Sequence, residues 1–174
     1  MFATELDPKI FETQREFIRL MEGNRDFVWW ATVLVKEETK ELQEAMDADQ
    51  MDMEHIFKEL GDLVYVVAGF YNTMPLYPNE VISEDLNNEI QGIIEQSHSI
   101  ASQVCNSLQL QQHHVEAAFY AVHTSNLTKI NPETGEPDRR EDGKILKGKH
   151  YKPADMKPVV DLWMKELKAN ANSQ

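Results

Sequence analysis

Apolar side chains recur every three or four positions from residue 8 to residue 22, with Ile10, Phe11, Phe17, Ile18 and Met21 on one side and Gln14 among them. That period predicts an amphipathic helix over 8–22, with Pro8 just inside its start and Gly23-Asn24 just past its end. A second helix is predicted over 26–48, with Trp29 and Trp30 near its beginning. The third, over 53–73, has a different pattern: after Asp62 it runs L-V-Y-V-V-A-G-F-Y almost without a polar residue. Such a helix must be covered on most sides, and Pro75 and Pro78 end it. Residues 79–112 predict one or two further helices on a stripe of Ile90, Ile93, Ile94, Ile100 and Val104, with an interface as their default role. Another helix is expected over 114–129, and a closing one over 154–169 with Val159, Val160, Leu162, Trp163 and Leu167 inward. Between these last two the chain is rich in turn signals, Pro-Glu-Thr-Gly and Glu-Asp-Gly, and is expected to be a short hairpin or an irregular loop. The expected architecture is an all-α helical bundle, one domain over residues 1–174, with an irregular segment before its C-terminal helix.

The polar residues that break the apolar stripes carry the chemistry. Residues three apart on a helix share a face. Glu38 and Glu41 therefore pair on the second helix, and Glu59 and Asp62 on the third. If the link near Gln50 reverses the chain, Glu41 and Glu59 stand nine positions from it and Glu38 and Asp62 twelve. The four carboxylates then meet at two levels separated by roughly 4.5 Å, close to the roughly 3.5–4 Å between cations in two-metal phosphoryl sites. Leu34 and Ala45 share the stripe of the first pair, and Ile56, Leu63, Val66 and Phe70 flank the second. Like charges this close in a partly dry setting need a cation to remain ionised. The oxygen-only donor set suits Mg²⁺, with Mn²⁺ able to substitute, rather than zinc. A lone E-x-x-E is ordinary helix surface, so a charged face on a non-catalytic helical interaction protein is the competing reading.

Composition narrows the partners. The chain has 174 residues, a net charge of −13 from 17 basic and 30 acidic residues, and a globular share of hydrophobic residues, 41%. That charge argues against a nucleic-acid polymer or an anionic membrane as partner. A single cysteine, Cys105, suits a reducing cytosol, and neither a signal peptide nor a membrane span is evident in the sequence. Within the acidic chain one stretch is basic: Lys129, Arg139, Arg140, Lys144, Lys147 and Lys149. Opposite an acidic cation site, such a segment is what a polyphosphate requires. Otherwise it is a solvated loop. Trp29 and Trp30 offer stacking faces for a nucleobase, although aromatics in a helix more often fill a core or an interface. His98, His113 and His114 have no ligand-like partners in sequence and are expected at the surface.

Glu37-Glu38-Thr39-Lys40-Glu41 followed by Glu59-Leu-Gly-Asp-Leu-Val-Tyr65 resembles the signature of the all-α nucleoside triphosphate pyrophosphatases, which include MazG, the dimeric dUTPases and phosphoribosyl-ATP pyrophosphohydrolase. A second block, His123-Thr-Ser-Asn-Leu-Thr-Lys129 with Arg140-Glu-Asp-Gly-Lys144, Lys147 and Tyr151-Lys-Pro-Ala-Asp155, is similar to the C-terminal part of MazG-like and phosphoribosyl-ATP-pyrophosphohydrolase-like members, phage-type ones among them. The resemblance implies Mg²⁺-dependent cleavage of a nucleoside triphosphate to monophosphate and pyrophosphate, with a purine, (d)GTP, as the base expected by analogy. It implies Glu38, Glu41, Glu59 and Asp62 as ligands, and one carboxylate, Glu38 or else Glu37, to orient or deprotonate the water. It carries Asn126, Lys129, Arg140, Lys144 and Lys147 over as phosphate contacts. It further implies sites shared between subunits, which with the very apolar third helix predicts a homotetramer, a dimer of dimers; the expected location is the cytoplasm, that of the host if phage-encoded. Hydrolysis of phosphoribosyl-ATP on the same scaffold is the alternative activity.

Overall fold

In the computed structural model, which describes residues 6–23, 26–74 and 82–172, the chain is a helical bundle built around one central helix. Helix α1 (Pro8–Leu20) starts at Asp7, whose carboxylate accepts the Lys9 N–H at 2.9 Å, and it buries Ile10, Gln14, Phe17 and Ile18. The second predicted helix is continuous but not uniform. A first turn, α2 (Phe27–Trp29), leads into a π-helical segment (Trp30–Val35) and then α3 (Lys36–Asp47). The 3.6-residue pattern gave no sign of this widened turn; π segments break the regular ladder and often lie beside functional sites. This one ends three residues before Glu38.

Helix α4 (Met53–Thr73) matches its predicted bounds, and Asp52 caps it through the His55 N–H at 3.1 Å. Its end is as expected, although Pro75 and Pro78 lie outside the described residues. Almost every residue from Ile56 to Phe70 is buried, with α6 on one side and α1, the π segment and α3 on the others. As its pattern required, the helix is covered on most sides, and within this one chain. Two glycines permit this. A Cβ on Gly61 would lie 2.8 Å from the Ala118 carbonyl oxygen, and one on Gly69 would lie 2.1 Å from the Trp30 ring.

Helix α5 (Glu84–Ser107) is one helix, with Ile90, Ile93, Ile100 and Val104 inward, and it packs on α3 and the π segment away from the acids. Helix α6 (Gln112–Leu127) follows, then the turn-rich strap, which is irregular apart from isolated bridges Ile130–Pro137 and Arg139–Ile145. Helix α7 (Lys157–Ala171) closes the bundle with Val159 and Trp163 buried. The strap is pinned back over the bundle. Arg139 donates to the Met21 carbonyl, Ser125 Oγ donates to the Lys152 carbonyl at 2.6 Å, and the Lys152 N–H donates to Thr128 Oγ1 at 2.8 Å. No helix among the described residues is long and apolar enough to cross a membrane.

One sequence expectation fails at the start of α6. His114 is only 2% exposed. Its Nδ1 accepts the Gln111 backbone N–H at 3.0 Å, so it serves as a helix cap instead of lying at the surface. His113 and Glu166 lie beside it, giving a ligand-like trio. With Nδ1 accepting, however, the neutral ring carries its proton on Nε2, which faces Glu166 at 3.2 Å and has no lone pair for a metal.

Candidate active site

Asp47 ends α3 and Met53 begins α4, so the turn is centred on Gln50 and the two helices return antiparallel. The four acids meet as their spacing required. One oxygen from each of Glu38, Glu41 and Glu59 lies within 4.8 Å of the others. Glu38 Oε2 and Glu59 Oε2 are buried and have no hydrogen-bond partner. Two buried, orphaned carboxylate oxygens in one acid cluster are costly unless a cation neutralises them. These residues fit Mg²⁺ or Mn²⁺.

Electrostatics tell the same story. Burial, then the charges of Asp62 and Glu41, push the Glu38 carboxyl up to about 8 against the pull of Lys58. Burial also raises Asp62, opposed by Lys58, and raises Glu41, with Glu59 adding to it. Glu38 therefore holds a proton at neutral pH where a cation is absent, as a crowded, buried carboxylate does.

The acids stand between two adjoining parts of one cleft. The polar part, about 360 Å³, is lined by Glu37, Glu38, Glu41, Lys58 and Asp62 on one side and by Asn126, Lys129, Lys144, Lys147 and Tyr151 on the other. The apolar part, about 110 Å³, lies among Phe17, Trp29, Trp30, Leu34, Tyr65 and Val66. Glu38, Asp62, Asn126, Lys129, Lys144 and Ile145 line both. The structure thus brings together Glu37, Glu38, Glu41, Asp62, Asn126, Lys129, Lys144 and Lys147, with Glu59 buried behind them and both tryptophans at the apolar end.

Arg140 is not brought to the cleft. Its guanidinium is exposed and tied to Asp142, with Nε at 2.8 Å from Oδ1, and that carboxyl is held far below its usual range by the contact. Arg140, expected as a phosphate contact, is thus held by a neighbour two residues away on the same turn. Asp142 in turn accepts from Trp29 Nε1 at 3.4 Å and so fixes the strap against the apolar part. Lys144 pairs with Glu37, and Lys147 lies 5.2 Å from the Tyr151 ring centre. Burial lowers Lys129, with Asp62 pulling the other way.

Sequence reasoning missed Lys58, whose Nζ lies 2.8 Å from Glu59 Oε1 and 2.8 Å from Asp62 Oδ2. Its position four before Asp62 was the available signal. It also missed Tyr65, three after Asp62, whose hydroxyl meets His123 Nδ1 at 3.1 Å and bonds Asn126.

The helices thus turn two acid pairs toward each other beneath a basic strap in an all-α architecture. Residues 12–87 match the family model for phosphoribosyl-ATP pyrophosphohydrolase, a domain of the MazG-like superfamily, and the match supports a pyrophosphohydrolase-type activity. No curated protein and no solved structure gives a significant match. The matched stretch contains all four acids and ends before α6, so the basic side of the cleft lies outside it.

Proposed function

We propose that the chain is a Mg²⁺-dependent nucleoside triphosphate pyrophosphohydrolase that converts a (d)NTP and water to (d)NMP and pyrophosphate. The observation that carries this reading is the division of the cleft: an apolar, aromatic part continuous with a polar part that has carboxylates on one wall and lysines on the other. A nucleobase suits the first and a triphosphate the second. The α-phosphorus then falls where the parts join, among Glu38, Asp62, Asn126, Lys129 and Lys144.

Glu38, Glu41, Glu59 and Asp62 are the residues to hold the cation, which when bound supplies charge neutralisation and a more acidic water. Glu38 lines both parts of the cleft and is placed to accept the proton of the attacking water. As the new P–O bond forms, the bond between the α-phosphorus and its bridging oxygen breaks, and the electron pair leaves with pyrophosphate. Lys129, Lys144 and Lys147 offset that departing charge. For Lys144 this requires release of Glu37, so substrate and Glu37 compete for one ammonium.

Phosphoribosyl-ATP is the second reading, favoured by the family match. Its extra ribose phosphate would extend from the base, away from the triphosphate. Among the described residues the cations lining the apolar part are Lys129 and Lys144, and both also line the polar part. No further cation among the described residues lines that end for a second phosphate, which favours a plain triphosphate. Eight ribo- and deoxynucleoside triphosphates and phosphoribosyl-ATP, assayed for pyrophosphate with Mg²⁺ and with a chelator, test both readings. Chelator-sensitive release from triphosphates, with (d)GTP foremost, is expected. Faster release from phosphoribosyl-ATP would favour the second reading, and none from any substrate would return the acids to a charged surface.

A further inference from the structure

The oxygens of the acid cluster fall into two sets. Glu38, Glu41 and Glu59 converge within 4.8 Å, and two of their oxygens, Glu38 Oε2 and Glu59 Oε2, are buried and unpartnered. The other set is already occupied. Lys58 Nζ bridges Glu59 Oε1 and Asp62 Oδ2, at 2.8 Å from each, and Glu59 Oε1 also faces His55 Nε2 at 2.9 Å. Glu59 belongs to both sets. Glu59 Oε1 is satisfied by the Lys58 ammonium, with His55 Nε2 beside it, while Oε2 is left buried without a partner; a carboxylate shared between two neighbouring cations offers one oxygen to each.

We propose that the Lys58 ammonium occupies the second cation position of the cluster, so that in the absence of nucleotide the protein takes up one divalent ion, at Glu38, Glu41 and Glu59, and not two. This rests on the metal reading above. A tethered ammonium has an advantage over a free ion because its lost translational freedom is already accounted for by the chain. It carries only one charge, however, and accepts a looser geometry than Mg²⁺ does. Its side chain is 30% exposed and faces the polar part of the cleft, so it has room to leave when a stronger ligand set arrives.

Electron paramagnetic resonance of free Mn²⁺ during titration of metal-free protein counts the ions bound. One Mn²⁺ per chain is expected for the wild type. Two are expected for both Lys58→Met and Lys58→Gln, because Glu59 Oε1 and Asp62 then lose the ammonium. Glu41→Gln should lose the wild-type ion, which reports on the first position independently. Two ions in the wild type would overturn the proposal without any variant. A single ion in both Lys58 variants, with helical circular dichroism unchanged, would overturn it as well. No ion in the wild type would overturn the metal reading itself, an outcome distinct from these.

Discussion

The charge on single carboxylates sets two expectations. Glu41→Gln and Asp62→Asn preserve shape and remove charge, so each should lower kcat/KM by more than about a hundredfold, since even partners one layer behind a ligand cost roughly 10–100-fold. Melting of the metal-free variants should not fall, because relief of repulsion offsets the lost contact. Steady-state kinetics and thermal melts check both. The second expectation concerns pH. Glu38 is raised from 4.5 to about 8 in the folded chain, so between these values the folded state keeps a proton that the unfolded state has lost. Metal-free stability should therefore be fully present below the lower value and decline as pH rises through the upper one. Glu41 and Asp62, raised as well, act in the same direction. Urea midpoints at pH 5.5 and 8.5 should differ, and Glu38→Gln should flatten the difference. A rise in stability toward pH 8.5 without metal would contradict this account.

Among the helices, close approach governs what can be replaced. Alanine at a helical glycine gains up to about 1 kcal/mol of propensity. At Gly69 the new methyl would lie 2.1 Å from the buried Trp30 ring, and overpacking of this kind costs about 1–3 kcal/mol or more, so the clash wins. Gly69→Ala should lower the urea midpoint and shift tryptophan emission as the ring moves, whereas Gly61→Ala should press α6 away from the acids at Ala118. The acid pairs were legible because one turn, centred on Gln50, converts equal sequence offsets into equal heights. Helix α4 was legible to the residue because capping by Asp52 and unbroken apolarity agree. The π segment was not, since its widened turn answers to packing of Trp30 against Gly69, two residues far apart in sequence. His114 was misplaced for a similar reason: a ring nitrogen capping Gln111 is a local bond that hydropathy does not register.

For the molecule as a whole, the strap decides how charge is distributed. A chain of net charge −13 folds so that Lys129, Lys144 and Lys147 face its acids across one cleft. The composition of the strap was readable. Its landing place was not, because Arg139 on Met21 and Trp29 on Asp142 are contacts between distant segments. A charged contact contributes about 1.5–3 kcal/mol, so Lys129→Ala and Lys144→Ala should each lower kcat/KM by roughly ten- to a hundredfold with every triphosphate. Trp29→Ala should instead reorder the bases. Kinetics with two nucleotides across the three variants separates these effects, and unchanged rates in both lysine variants would return the strap to a solvated loop.

Both walls of the cleft come from a single chain: acids from the hairpin of α3 and α4, lysines from the end of α6 and the strap. Turnover should consequently be first order in protein over wide dilution. A plot of initial velocity against chain concentration, from micromolar to the lowest measurable level, should be a straight line through the origin. Upward curvature would mean that a neighbour lends part of the machinery.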